Sequence, residues 1–157
     1  MKYLFSITVL VTASVAFAEV DPFVGSWSMN VAASRYESDL PQSMSIVMEQ
    51  ATQGLHYRSD TKYPDGHVVI ANYTADYDGK PTAVIANGKM MAPVALKRID
   101  AQTVEASYIR GLQIVATSRR SLSENGRVMT ITTTAYDERH KATTNVGVYQ
   151  RTQTGEK

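Results

Sequence analysis

One arginine and three tyrosines are the residues of this sequence best suited to hold a ligand. Side chains alternate across a β-strand, so the apolar parity of a strand indicates which side chains point into a barrel. By this rule Tyr57, Tyr73, Tyr108 and Arg120 project inward. A guanidinium and phenolic hydroxyls inside an apolar barrel can bind the carboxylate of an amphipathic molecule, while an aliphatic wall buries its tail. These four residues are the predicted ligand-binding set.

The same alternation leaves two alternatives open. It turns Leu112 and Ile114 inward on the strand of Arg120, but a shift of one residue in the register would expel Arg120 and bring in Arg119. The barrel could also be filled by its own side chains, with the tyrosines completing the core, because eight to ten strands enclose little room.

The sequence indicates no metal or catalytic chemistry. No two of the three histidines, His56, His67 and His140, lie two residues apart, so no zinc or copper site is predicted. His56 and His67 fall on the polar parity of their strands, so no haem site is predicted either. No nucleophile motif or phosphate-binding loop is present, and the aspartates fall at turns. We therefore expect no metal, no cofactor and no enzymatic activity.

Short strands joined by tight turns must position the candidate residues. Turn signals such as Asn87-Gly88 and Glu124-Asn125-Gly126 separate runs that are rich in Val, Ile, Thr and Tyr. The predicted strands lie near 23–30, 43–51, 55–63, 67–77, 81–86, 91–99, 103–110, 112–121, 127–136 and 143–152. Closure removes the edges of such a meander. The sequence therefore predicts an all-β, antiparallel up-and-down barrel of eight to ten strands, with little or no helix.

The segment after the first strand differs from the rest of the chain. Only Val31 to Tyr36 could form a helical turn, and the stretch from Ser34 to Gln42 is predicted to be a loop that crosses one end of the barrel. No segment longer than about ten residues has an apolar period of 3.6. A β-sandwich is the main structural alternative, but sandwiches prefer longer crossovers than these turns allow.

The first eighteen residues have the pattern of a secretory signal peptide. Lys2 precedes an apolar run that is shorter than the ~20 residues needed to span a bilayer, and Ala16-Phe17-Ala18 forms a cleavage site. We expect cleavage after Ala18, a barrel domain over residues 19–152 and a polar, frayed tail over 153–157. The chain has no cysteine, so neither a disulfide nor a lipid-modified cysteine is expected. The predicted location is periplasmic or secreted.

The balance of positive and negative residues argues against some classes of partner. The whole chain has 16 Lys and Arg against 15 Asp and Glu, and the predicted signal peptide holds one of these cations. A balanced mature chain argues against nucleic acid or an anionic membrane surface as the main partner. The outward parity includes Arg58, Asp60 and Glu105, so the barrel is not expected to be embedded in a membrane. The sequence does not indicate an oligomeric state.

Several motifs together resemble a known superfamily. They are Pro22-Phe23-Val24-Gly25-Ser26-Trp27-Ser28-Met29-Asn30, Tyr77-Asp78-Gly79-Lys80, Leu96-Lys97-Arg98-Ile99-Asp100 with Thr103-Val104-Glu105, Thr117-Ser118-Arg119-Arg120, and Asn145-Val146-Gly147-Val148-Tyr149. This set resembles the lipocalin and calycin superfamily, and more closely the small exported bacterial lipocalin-like proteins, a group without an assigned function. The resemblance implies that Trp27 closes the barrel floor under an arginine of the last strand, here Arg151. It also implies a close backbone approach at Gly25.

Two functions follow from this prediction. The first is a carrier that binds a small apolar or anionic amphipathic molecule inside the barrel. The second is a protein-interaction barrel, such as an inhibitor or an envelope-assembly partner, with a filled interior. Met90 and Met91, with Ala92 and Pro93, form an apolar patch that could dock such a partner.

Overall fold

Antiparallel strands make up most of the part of the chain that the structure describes. This computed structural model describes residues 20–152, so the predicted signal peptide and the predicted frayed tail lie outside the described residues. The strands are β1 (Gly25–Met29), β2 (Arg35–Tyr36), β3 (Ser43–Gln50), β4 (Leu55–Lys62), β5 (Val68–Ala75), β6 (Thr82–Ala86), β7 (Lys89–Asp100), β8 (Thr103–Arg110), β9 (Gln113–Leu122), β10 (Val128–Tyr136) and β11 (Ala142–Thr152). One short 3-10 helix, Val31–Ala33, is the only helix between residues 20 and 152, and it is too short to cross a membrane.

Ten of these strands close into a barrel. Each strand from β3 to β10 pairs with the next one along the chain, β1 pairs with β3, and β1 also pairs with β11, which completes the ring. The predicted all-β antiparallel barrel is therefore confirmed, and the ten predicted strands match the ten barrel strands to within two or three residues at their ends.

The strand β2 was not predicted, because its residues lie in the stretch that we expected to be a loop. After the turn at Val31–Ala33 the chain returns to the same edge of β11 that β1 occupies, where Tyr36 pairs with Asn145 and Arg35 with Val146. Only two residues pair, so the segment has no run of alternating residues that would predict a strand.

Tight hairpins fix the register between neighbouring strands. In the β6–β7 hairpin Asn87 and Gly88 both have positive φ, 48° and 75°, as a two-residue turn of type I′ requires. The Asn87 side chain also accepts a hydrogen bond from the backbone N–H of Ile70 at 2.8 Å. These contacts join the turn to β5, with which β6 shares only two paired positions.

The meander places its connections alternately at two ends of the barrel. We call one of them the mouth end. It carries the residues 30–42 between β1 and β3 and the turns at 63–67, 87–88, 111–112 and 137–141. The opposite end is the floor, which carries the residues 20–24 and the turns at 51–54, 76–81, 101–102 and 123–127.

Trp27 closes the floor, together with an arginine from the last strand. Trp27 is 1% exposed, and its indole Nε1 donates a hydrogen bond to the Phe23 carbonyl at 3.1 Å. The Arg151 guanidinium stacks on the indole at 4.2 Å and donates to the carbonyls of Pro22, Val24 and Gly126. These three bonds join the N-terminal segment to the β9–β10 turn.

Gly25 is required by this arrangement for two reasons. Its φ is +138°, which side chains rarely tolerate, and a Cβ at this position would lie 2.5 Å from Nη1 of Arg151. Nearby, the Asp21 carboxylate accepts hydrogen bonds from Tyr77 and Arg98, both at 2.5 Å. The N-terminal segment is therefore joined to both sides of the barrel.

Apolar side chains fill the barrel next to the floor. Fully buried residues from most of the strands meet there, namely Phe23, Trp27, Ile46, Met48, Leu55, Leu96, Val104 and Met129. This burial supplies the main stabilising term of the fold, since each large apolar side chain removed from water contributes about 1.5–3 kcal/mol. The alternative of a barrel filled by its own side chains therefore holds for the half of the interior next to the floor.

Candidate ligand-binding site

Arg120 lies inside the barrel, and its neighbour Arg119 lies outside. On β9 the Arg120 side chain is 3% exposed, between Val104 of β8 and Ile131 of β10. Arg119 faces solvent and forms an ion pair with Glu105 at 2.9 Å. Of the two registers that the sequence left open, the structure therefore has the one that turns Arg120 inward.

The buried guanidinium has no counter-charge. Its Nη2 donates a hydrogen bond to the Tyr73 hydroxyl, and its central carbon lies 4.9 Å from the centre of the Tyr57 ring. The buried Nε has no hydrogen-bond partner, and among residues 20–152 no carboxylate forms an ion pair with Arg120. A buried charge without a partner costs several kcal/mol of desolvation free energy. The barrel therefore retains a cation that an anion could neutralise.

This guanidinium packs against the rings of two tyrosines. Tyr57 of β4 and Tyr73 of β5 occupy directly paired positions, and their rings stack with centroids 4.8 Å apart and planes 12° apart. Burial raises the pKa of Tyr57 to about 12, and the Arg120 charge offsets only part of that rise. Burial raises the pKa of Tyr73 as well. Both phenols consequently remain protonated at neutral pH.

A cavity of about 240 Å³ lies between this cluster and the mouth end. Arg120, Tyr57 and Tyr108 line it, whereas Tyr73 does not reach it and instead hydrogen-bonds Arg120. The other lining residues are Tyr36, Pro41, Met44, Thr61, Tyr63, Ser118, Ile131, Thr133, Asn145 and Tyr149. Three of the four predicted ligand-binding residues thus share one cavity.

The predicted aliphatic wall was wrong. Among the described residues, Met44, Pro41 and Ile131 are the only aliphatic side chains of the lining, and eight of the thirteen lining residues are tyrosine, threonine or serine. For example, the Thr133 hydroxyl donates a hydrogen bond to the Ser118 hydroxyl at 3.1 Å. At the level of the cavity, hydroxyl side chains of β9 and β10 thus occupy part of the wall that the prediction gave to aliphatic residues.

Sequence reasoning missed the residues that cover the mouth. Tyr36 and Pro41 line the cavity from the segment 35–42, which crosses this end of the barrel as predicted. Asn145 holds the segment, because its Oδ1 accepts from the backbone N–H groups of Glu37 and Ser38 at 2.9 and 3.2 Å. No local sequence signal predicts these contacts, since the partners are more than a hundred residues apart.

The rim of the mouth end is apolar on one side. Leu112 is fully exposed and Met90 is 74% exposed at the tips of neighbouring hairpins, where Met91 and Ile114 are about half exposed. The prediction that Leu112 and Ile114 point inward was therefore wrong. Leu112 lies in the turn, and an extra residue in β9 shifts the register so that Ile109 pairs with Ile114. Such a bulge reverses the parity beyond it.

The histidines lie away from the cavity. His56 hydrogen-bonds Thr74 at 2.9 Å, and His67 contacts Asp65 at 2.6 Å on the surface. Within residues 20–152 no group of three or more histidine or acidic side chains is placed to hold a metal ion.

Alkaline pH is expected to destabilise the protein through Tyr57. Between the ordinary pKa of about 10 and the folded pKa of about 12, the unfolded chain loses the phenolic proton and the folded chain keeps it. The stabilisation is complete below about pH 10 and is lost as the pH rises, by about 1.4 kcal/mol per pH unit. Urea unfolding of wild type and Tyr57→Phe across this range measures the effect. Tyr57→Phe should show a shallower slope than wild type. Equal slopes for wild type and Tyr57→Phe would contradict the prediction.

Comparison with solved structures shows the fold. Zebrafish ileal bile acid-binding protein, solved in complex with cholic acid, is similar to this chain with a TM-score of 0.54 and 15% identity over 83% of this chain and 99% of that chain. A comparison with protein-family models gave no match, and neither did a comparison with curated proteins. At this identity the likeness extends to the fold alone. The chain therefore has the fold of a calycin-type antiparallel β-barrel.

Proposed function

We propose that this protein binds a small anionic, amphipathic molecule inside its barrel, with Arg120 as the anchor of the anionic group. The observation that carries the proposal is the buried guanidinium without a counter-charge at the wall of a cavity. A carboxylate there would accept charge-assisted hydrogen bonds, which are about twice as strong as neutral ones. The zebrafish neighbour, with cholic acid bound, supports ligand binding by a barrel of this fold.

Binding without catalysis suits the residues at the cavity. Its lining contains no His, Asp, Glu, Lys or Cys side chain, so no general base is at hand to activate Ser118 or a water molecule.

The proposal places the mature protein in the periplasm or outside the cell, after cleavage following Ala18, as in the exported bacterial lipocalin-like proteins that the sequence resembles. The mass of the protein recovered from its native compartment tests the cleavage site.

Arg120→Met is expected to abolish retention of the native ligand. The substitution keeps a long side chain and removes the charge. Hydrogen bonds to charged groups contribute about 1.5–3 kcal/mol, so affinity should fall roughly 10- to 100-fold. Native mass spectrometry of protein purified from its source measures a co-purified anion. Arg119→Met is the matched control and should retain it. Retention by Arg120→Met would contradict the proposed anchor.

A second candidate function is docking of a protein partner at the rim of the mouth end. The exposed side chains of Met90, Met91, Leu112 and Ile114 favour it, because contiguous exposed apolar surface marks interaction sites. A photo-crosslinking residue at position 112 should then capture one defined protein in the producing cells, and the same residue at the polar position 58 should not. Equal labelling from both positions would count against this function.

A further inference from the structure

The cavity is small for the class of ligand that the fold neighbour holds. Its volume of about 240 Å³ is below the ~300–1,000 Å³ of pockets that take drug-sized molecules. Below it the interior is filled, with Trp27, Met48 and Met129 each at most 1% exposed. Above it Tyr36 and Pro41 line the cavity from the segment that crosses the mouth end. A cavity of this volume favours a small ligand over a four-ring steroid or a long alkyl chain.

The walls favour a flat ring over a flexible chain. Five tyrosines line the cavity, at positions 36, 57, 63, 108 and 149. Aromatic rings gain about 0.5–1.5 kcal/mol from stacked or edge-to-face contacts beyond the burial of their area. Thr61, Ser118 and Thr133 also line the space, and an alkyl chain offers no hydrogen bond to their hydroxyls. The tyrosine walls therefore favour a planar aromatic ring over a flexible alkyl chain.

The position of Arg120 determines where the anionic group of a ligand would bind. Arg120 lines the same cavity as Tyr57 and Tyr108, so an anionic group bound to the guanidinium leaves the rest of a small ligand among the tyrosine rings. We propose that the ligand is a single-ring aromatic carboxylate, with its carboxylate on Arg120 and its ring between the tyrosines. This inference rests on the proposed binding function and narrows it to one ligand class.

Isothermal titration of the purified protein with four probes tests the inference. The probes are benzoate, the uncharged benzyl alcohol, cholate and palmitate. Benzoate should bind at one site per chain. Benzyl alcohol should bind at least about tenfold more weakly, because it lacks the charge that Arg120 pairs with. Cholate and palmitate should give no saturable heat.

Two variants separate the site from the fold. Arg120→Met should weaken benzoate binding at least about tenfold, and Arg119→Met should leave it within about twofold of wild type. Ile131→Phe adds bulk inside the cavity while it keeps the Arg120 charge, and it should also abolish benzoate binding. Circular dichroism confirms that each variant is folded, so that a loss of binding is assigned to the site.

The outcomes distinguish this inference from the function on which it rests. Saturable binding of cholate or palmitate without benzoate would overturn the ligand class and leave anion binding in the barrel intact. Benzoate binding that survives both Arg120→Met and Ile131→Phe would overturn the site. If no probe binds and no anion co-purifies, both the ligand class and the proposed function fail.

Discussion

Replacing Trp27 by alanine is expected to lower the free energy of unfolding by about 3–5 kcal/mol. The indole is 1% exposed at the floor, so its removal leaves a cavity that rigid barrel strands cannot collapse to fill. The substitution also leaves the Phe23 carbonyl without its 3.1 Å hydrogen bond and removes the surface on which the Arg151 guanidinium stacks at 4.2 Å. A loss of this size is a large part of the 5–15 kcal/mol typical of a domain.

Urea unfolding followed by circular dichroism measures this effect, since the variant has lost the single tryptophan of the chain. Trp27→Phe should lose less, because it keeps an aromatic ring and gives up the indole hydrogen bond. Leu112→Ala is the matched control and should change the free energy of unfolding by less than about 0.5 kcal/mol, because Leu112 is fully exposed. A change of less than about 1 kcal/mol for Trp27→Ala would show that the floor does not depend on Trp27.

Local signals predicted the fold because each hairpin is encoded by adjacent residues. Turn sequences such as Asn87-Gly88 set the strand boundaries, and alternation within β4 and β5 placed Tyr57 and Tyr73 inside. Closure followed from the need to remove the sheet edges. The floor was predictable for another reason. The resemblance implies that the Trp of the Gly-x-Trp motif packs under an arginine of the last strand, and in the barrel Trp27 and Arg151 occupy directly paired positions of β1 and β11.

The candidate site was harder to predict because distant segments form it. A bulge opposite Tyr108 reverses the parity of β9 at Ile114, and nothing in the run of residues marks where the extra residue falls. Tyr36 reaches the cavity only because β2 pairs with Asn145, which is a contact across more than a hundred residues. The alternation of side chains along each strand predicted which residues point inward. The shear of the barrel and the segment 35–42 determine which of those residues line the cavity.

The guanidinium of Arg120 and the indole of Trp27 are both buried, yet they are expected to contribute to stability with opposite signs. Trp27 has its hydrogen bond and its packing partners, whereas Arg120 has an unbonded Nε and forms no ion pair with any acid of residues 20–152. Burial of a charge in this state is unfavourable, and functional sites often keep such groups at a cost in stability.

We therefore expect the double variant Arg120→Met with Tyr73→Phe to raise the free energy of unfolding of the ligand-free protein by about 1–4 kcal/mol while it abolishes anion binding. Tyr73→Phe is included because Arg120→Met alone leaves the Tyr73 hydroxyl buried without its partner, which costs about 1–3 kcal/mol. Urea unfolding of ligand-free wild type, both single variants and the double variant gives the coupling, and Arg119→Met should stay within about 1 kcal/mol of wild type because its ion pair is exposed. A double variant less stable than wild type would mean that Arg120 stabilises the fold. The buried charge would then give no reason to expect a ligand.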